Sequence, residues 1–379
     1  MKRWSVSAPV LAFSAILAVS PLVVAQDATP EVDHSIGELR VIGVQTIENN
    51  TMVDETTVGG LSGIDYDAVN DRWVAISDDR SDQQPARFYN LDLNYTAEAF
   101  DPVTVQSAVT LLQANGQPYP NAAAGGNIPD PESIRIDPVS GLLWYTSEGA
   151  RSRVIDPFVA VTTWDGAFVT EPALPDVFDM ETGEVAGPSE NLVFEGFSFS
   201  ADGQSIWLSL EGPLYQDGPT ATVEHGATNR ITQLDRSGGV LAQYAYELEP
   251  IPGPADAFFT TGVTEILAID ETRFLTIERT TVEDANGVFN NYVKVYEIDT
   301  AGATDVKSFG WLQGSEYTPV SKRLVLDVNA APGVDYVDNL EGITWGPVLE
   351  NGNRSLVIVS DNNFGDTQIT QFFAVEVVA

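Results

Sequence analysis

The sequence predicts an all-β protein, a ring of four-stranded antiparallel blades, and three observations carry that expectation. An acidic pair recurs five times, each pair framing two short strands; almost every other segment is a short β-branched or aromatic run bounded by turn formers; and no long amphipathic helix is found. The repeat opens with Ser62-Gly63-Ile64, Glu132-Ser133-Ile134, Glu195-Gly196-Phe197, Glu265-Ile266-Leu267 and Glu341-Gly342-Ile343. After a turn, the second strand of each unit ends in a further acid, at Asp78, Glu148, Glu211, Glu278 and Asp361. The two positions are 16 residues apart in the first three units, 13 in the fourth and 20 in the fifth, a difference that falls in the intervening turn.

Taken in order, the first unit places strands at 62–67, 72–77, 86–93 and 103–112. The second places them at 132–137, 142–147, 159–164 and 167–174, and the third at 195–199, 205–211, 229–236 and 240–248. In the fourth, strands at 264–269, 273–278 and 292–299 are followed by an outer strand at either 303–310 or 323–328. The fifth has strands at 341–345, 355–360 and 369–377 and then the chain ends, one strand short. The run 38–47 supplies the missing strand if the N-terminus closes the last blade. Such a ring is a β-propeller. Five blades is the count read directly; six holds if 303–328 hides another sheet.

Ahead of the propeller, Lys2 and Arg3 precede an apolar stretch from Ala8 to Val24 and a small-residue site at Val23-Val24-Ala25. This reads as a secretory signal over 1–25, followed by a flexible leader over 26–36 and one propeller domain over 37–379. An uncleaved anchor is the alternative, disfavoured by Pro9, Pro21 and the Ala25 site. We therefore expect an exported protein, periplasmic or extracellular, that is not inserted in a membrane after cleavage, and a monomer. Loss of Lys2 and Arg3 takes the formal charge from −37 to −39. That excludes nucleic acid as a partner, because polyanion binding needs a cationic face. The chain has no cysteine and two histidines, so disulfides are absent and transition-metal sites are disfavoured.

Tight turns such as Pro138-Val139-Ser140-Gly141 and Ser200-Ala201-Asp202-Gly203 lie on one rim, and long connections, among them 250–262 and 279–291, lie on the other. The paired acids fall on the long-loop rim, where binding surfaces are usually built. With the first strand of each blade innermost, Glu132, Glu195, Glu265 and Glu341 ring the channel mouth, with Asp78, Glu148, Glu211, Glu278 and Asp361 just outside. Like charges this close raise one another's pKa or recruit a cation, and an all-oxygen donor set suits Ca²⁺ best and Mg²⁺ second. The plain alternative is that each acid accepts backbone N–H bonds and fastens neighbouring blades. Arginines follow three closing acids, at Arg80, Arg151 and Arg279, placed either to clamp a phosphate or carboxylate or to pair with adjacent acids. The runs 361–366 and 78–82 are dense in oxygen donors without matching the helix-flanked calcium loop. His34 and His225 are poor candidates for catalysis, and Gly60-Leu61-Ser62-Gly63 is not a nucleophile elbow.

Several of these residues together resemble the phytase-like family described as "esterase-like activity of phytase". The carriers are Gly59-Gly60-Leu61-Ser62-Gly63-Ile64-Asp65, Ser77-Asp78-Asp79-Arg80, Asp130-Pro131-Glu132-Ser133, Ser147-Glu148-Gly149, Phe194-Glu195-Gly196-Phe197, Asn339-Leu340-Glu341-Gly342-Ile343 and Ser360-Asp361-Asn362-Asn363-Phe364. The resemblance runs from about Gly59 to Val375 and implies a propeller that hydrolyses phosphate esters or related esters. Calcium-dependent propeller phytases hold several Ca²⁺ ions in an acidic channel, where the metals position phosphate and activate water. Those enzymes also use lysines and arginines at the phosphate site, whereas here Arg80, Arg151 and Arg279 are the cations placed to help. The expectation is thus a Ca²⁺-dependent hydrolase of a small anionic ester, in which Asp78, Glu132, Glu148, Glu195, Glu265, Glu278, Glu341 and Asp361 hold metal. Glu195 and Glu211 are the candidate catalytic carboxylates, and the three arginines orient the anion. The alternative is a non-catalytic, calcium-stabilised propeller that binds a surface ligand through its long-loop face.

Overall fold

The computed structural model describes Met1, residues 36–252 and residues 258–378, so the expected signal and most of the leader lie outside the described residues. The chain enters on β1 (Glu38–Ile47) and makes a small hairpin of β2 (Met52–Val53) and β3 (Thr56–Thr57). Blade one is β4 (Leu61–Asp67), β5 (Arg72–Ser77), β6 (Arg87–Asp92) and β7 (Thr104–Thr110). Blade two is β8 (Pro131–Ile136), β9 (Leu143–Ser147), β10 (Phe158–Thr162) and β11 (Phe168–Thr170). Blade three is β12 (Phe194–Phe199), β13 (Ser205–Leu210), β14 (Thr228–Asp235) and β15 (Val240–Glu247). Blade four is β16 (Phe259–Ala268), β17 (Arg273–Glu283), β18 (Phe289–Asp299) and β19 (Ser321–Asp327). Blade five is β20 (Asn339–Trp345), β21 (Arg354–Asp361) and β22 (Thr370–Val378), completed by β1 in the order β20-β21-β22-β1. This is the expected five-bladed ring. Strand β1 runs antiparallel along β22 from Glu38 opposite Val378 to Ile47 opposite Thr370, so the two ends of the propeller share one sheet and the ring has no open seam.

Alternation along the strands buries apolar residues on both faces of each blade, and every seam between blades has its own core. Val74, Ile76 and Phe88 of blade one pack with Ile134, Tyr145 and Phe158 of blade two. Trp144 and Val159 meet Phe197 and Leu208 at the next seam, and Trp207 and Ile231 meet Ile266 and Phe274 at the one after. Leu275 and Val295 meet Ile343 and Ile358, and Val357 and Phe372 close the circle against Ile64 and Trp73.

The inner strands approach so closely that the residue after the opening position has little room for a side chain. A Cβ on Gly63 would stand 2.7 Å from the Glu132 carbonyl oxygen, and one on Gly342 would stand 2.8 Å from that of Ser62. Arg135 of β8 is buried at the centre, where it donates to the carbonyls of Ile64 (2.7 Å), Ile343 (3.0 Å) and Ile266 (3.3 Å) and pairs with Glu265 at 2.7 Å. One guanidinium thereby ties the inner strands of four blades together and plugs the axis.

In blade four the structure chooses between the two expected outer strands and corrects one other expectation. Its outer strand is β19 rather than 303–310, and that earlier stretch instead caps blade three: Val306 N–H donates to the Gln243 carbonyl at 2.7 Å, and Val306 and Leu312 pack on Ala245. No sixth blade forms among the described residues. The connections expected at 250–262 and 279–291 are in large part strand, because β16, β17 and β18 run on past the rim as a three-stranded extension.

Candidate functional site

The site is positioned by a β-bulge repeated at the start of each inner strand. The ladder register slips between Leu61 and Gly63, Pro131 and Ile134, Phe194 and Gly196, Val263 and Glu265, and Leu340 and Gly342. A bulge re-aims its extra residue, here toward the long-loop rim. The equivalent opening residues are therefore Ser62, Glu132, Glu195, Thr264 and Glu341. The closing residues follow the partners of the pre-bulge positions and are Asp78, Glu148, Glu211, Arg279 and Asp361. In blade four both acids of the pair are replaced, by a threonine and by an arginine.

Of these side chains, Asp78, Glu132, Glu195, Glu211, Arg279, Glu341 and Asp361 line a cavity of about 660 Å³, together with Arg80. Three overlapping carboxylate triads, Asp130/Glu132/Glu148, Glu132/Glu195/Glu341 and Glu148/Glu195/Glu211, each bring ligand oxygens within 4.8 Å of one another. Burial pushes Asp78, Glu132, Glu148, Glu195 and Asp361 well above the usual carboxylate range, and neighbouring acids reinforce the shift. Burial also raises Asp130 and Glu211 to about 7, against the opposing pull of Arg80 on the first and Arg279 on the second. Glu341 is raised in the same way, with Arg279 again opposing. Two carboxylate oxygens, Asp78 Oδ1 and Glu148 Oε2, are inaccessible to solvent and accept no hydrogen bond.

A family model described as "Phytase-like: Esterase-like activity of phytase" matches residues 56–364. The chain belongs to the phytase-like family. No curated protein matches it in sequence. Among solved structures, the catalytic domain of the GH62 α-L-arabinofuranosidase of Coprinopsis cinerea aligns at 10% identity and a TM-score of 0.42, covering 90% of this chain and 97% of that one. The mannose phosphorylase MPT-4 of Leishmania mexicana aligns at 11% identity and 0.39 over 88% of each chain. The Dos1 propeller aligns at 8% identity and 0.34, covering 89% of this chain and 96% of that one.

Within this phytase-like propeller, the expected site residues separate into two groups. Asp78, Glu132, Glu148, Glu195, Glu211, Glu341 and Asp361 come together, and Arg80 and Arg279 come with them. Arg279 donates to Glu211 at 3.1 Å and to Glu341 at 3.2 Å while its Nε has no partner; burial opposes its charge, but the surrounding carboxylates outweigh burial and hold it firmly cationic. Arg80 pairs with Asp130 at 2.6 Å and reaches Asn191 across the rim.

Glu265, Glu278 and Arg151 are not brought to the cavity. Glu265 follows the bulge and so turns to the axis, where it accepts from Ser133 Oγ (2.9 Å), Phe197 N–H (2.9 Å) and Arg135. Glu278 sits one residue before the closing position, so strand alternation sends it to the opposite face, where Tyr246 OH and Lys322 Nζ each donate to it at 2.7 Å. Arg151 donates to the carbonyls of Gly183, Ala186 and Pro188 and stacks on Tyr215, holding the 183–188 loop. The oxygen-rich runs also serve the backbone: Asp79 accepts from the N–H groups of Asp82, Gln83 and Gln84 and from Arg87, and Asn362 accepts from Gly60 and Phe364. His225 is exposed in a separate crevice, with Nδ1 against the Gly226 carbonyl. Sequence reasoning missed Asp130 as a member of the cluster, although it stands in the quoted Asp130-Pro131-Glu132 run, and missed the cavity wall contributed by the blade-four extension.

Proposed function

We propose that the acidic cavity binds Ca²⁺ and that this phytase-like propeller is an exported hydrolase of a phosphate ester or related ester. The observation that carries the reading is the pair of buried, unpartnered carboxylate oxygens: Glu148 Oε2, whose residue belongs to two of the triads, and Asp78 Oδ1, whose charge acts on Glu132 beside them. A buried carboxylate without a donor is costly, and a fastening between blades would have supplied one. The donor set also fits the ion: it is all oxygen, carries several carboxylates and contains no sulfur or imidazole. A divalent cation held there supplies positive charge that polarises an ester oxygen and makes nearby water more acidic.

The chain's own groups divide the remaining work. Glu211, whose orientation Arg279 fixes through the 3.1 Å contact, is the carboxylate placed to take a proton from water. Arg80 and Arg279 flank the acids from two sides and orient an anionic group between them. Many carboxylates face two guanidinium groups at this site, so an anion enters only after cations have offset the excess negative charge.

The test is turnover of chromogenic phosphate and carboxylate esters by metal-stripped protein with and without added Ca²⁺, alongside thermal melting. Activity that appears with Ca²⁺ and is lost in Glu195→Gln supports the metallohydrolase. A Ca²⁺-dependent rise in melting temperature with no turnover of any ester would replace it with a calcium-stabilised binding propeller.

A further inference from the structure

The extension of blade four forms one wall of the cavity, and its composition changes with height. Register sets which residues share the cavity-facing side. Gly262 stands opposite Arg279, Thr260 opposite Thr281, and Thr281 opposite Asn291. Next in the series come Glu283 opposite Phe289, with Phe258 hydrogen-bonded to Glu283 through its carbonyl. At the base, Gly262 is required because a Cβ there would stand 2.1 Å from Glu211 Cγ. The wall thus passes from a guanidinium beside the acid cluster, through a belt of threonine hydroxyls, to an aromatic pair at the rim. Four residues of strand separate Arg279 from Glu283, a rise of about 13 Å.

Phe258 and Phe289 meet edge to face with ring centroids 6.0 Å apart, line the cavity, and remain 52% and 47% exposed. Phe259 lines the cavity beside them. A single exposed phenylalanine needs no explanation, but two paired at the mouth of a polar cavity offer an apolar shelf on the path to the acids.

We infer that this shelf seats an apolar substituent of the substrate, aryl or alkyl, while its anionic group lies at the acid cluster. The substrate class is then an amphiphilic ester rather than a small, uniformly charged polyphosphate. The inference rests on the proposed hydrolase. Two further observations agree with it. The cavity of about 660 Å³ has room for more than a cation and a phosphoryl group, and among the described residues its lining contains two arginines and no lysine to meet further phosphates.

The test is calorimetric titration of the Ca²⁺-loaded full chain with phenylphosphonate and methylphosphonate, in wild type and in Phe258→Ser/Phe289→Ser. The wild type is expected to bind the phenyl compound about tenfold more tightly, and the double variant to lose that preference while keeping its methylphosphonate affinity and melting temperature. Equal affinities in the wild type, or a preference that survives in the variant, would overturn the inference. So would a concentration-dependent dimer that the variant abolishes without any phosphonate preference, since the shelf would then belong to a second copy. Failure of both phosphonates to bind while Ca²⁺ still binds would instead overturn the hydrolase reading, and this inference with it.

Discussion

Glu195 and Glu265 stand on neighbouring inner strands, both nearly inaccessible, yet their surroundings are opposite. Glu265 is met by a guanidinium, a hydroxyl and two backbone N–H groups, whereas Glu195 faces Glu148, Glu211 and Glu341 with Arg279 as the one lowering influence. The same residue type at similar depth thus serves two ends. Around the axis the protein provides donors and gains a plug; at the rim it provides fewer and leaves Asp78 Oδ1 and Glu148 Oε2 for something else to meet. Burial and charge alone do not tell a fastening from a ligand site, but the donor inventory does.

The most damaging way to probe that contrast is to break the plug. Arg135→Met leaves Glu265 and the carbonyls of Ile64, Ile266 and Ile343 without their partner, and the expected cost is about 3–5 kcal/mol in urea unfolding. A loss under about 1 kcal/mol would show that the axis does not depend on the pair. At the rim the opposite sign is expected. Glu195→Gln fixes the neutral form that burial and the neighbouring acids already favour, so the metal-free variant should melt at or above the wild-type temperature while Ca²⁺-dependent turnover falls about 100-fold or more. A metal-free variant less stable than wild type would place Glu195 among the fastenings.

Changing pH tests the rim without mutation. Glu211 and Asp130 rise in the folded protein to about 7, so each binds its proton more tightly folded than unfolded. Stability from such groups is complete below their unfolded values, 4.5 for Glu211 and 3.8 for Asp130, and is lost as pH rises through the folded value. With EGTA present, the melting temperature should therefore fall between about pH 5 and pH 8, and saturating Ca²⁺ should recover several degrees at the upper end by binding the ionised native cluster. A metal-free melting temperature that rises over this interval would contradict the raised values at the cluster.

The ring of blades was legible because each repeat is a local pattern of strand, turn and strand, and the run 38–47 was the one strand left to complete blade five. The clustering of the acids was legible in every blade but the fourth for the same reason. It failed in the fourth because the eye follows the acid at Glu265, while the physical register follows the bulge at Thr264 and the buried Ile266, equivalent to Ile64, Ile134, Phe197 and Ile343. A one-residue slip along a strand reverses the face, which is why Glu265 and Glu278 both turn away and Arg279 turns in. Aligning the isoleucine positions rather than the acids would have recovered this from sequence. The blade-four extension had no such signal, since its glycine- and asparagine-rich stretches read as loop.

The smallest effect is expected at Glu278, and it isolates the register argument from the general effect of removing an acid. Its carboxylate is held by Tyr246 and Lys322 on the face away from the cavity, with burial pulling its pKa up and Lys322 pulling it down. Glu278→Gln keeps the volume and one acceptor, weakens the contact to Lys322, and should cost about 1 kcal/mol of stability. Because the side chain does not reach the cavity, turnover and Ca²⁺ affinity should match wild type within about twofold, in contrast to Glu195→Gln. A loss of Ca²⁺ affinity in Glu278→Gln comparable to that in Glu195→Gln would mean that the closing position of blade four is the acid and not Arg279. The bulge at Thr264 would then no longer explain where the site's charges lie.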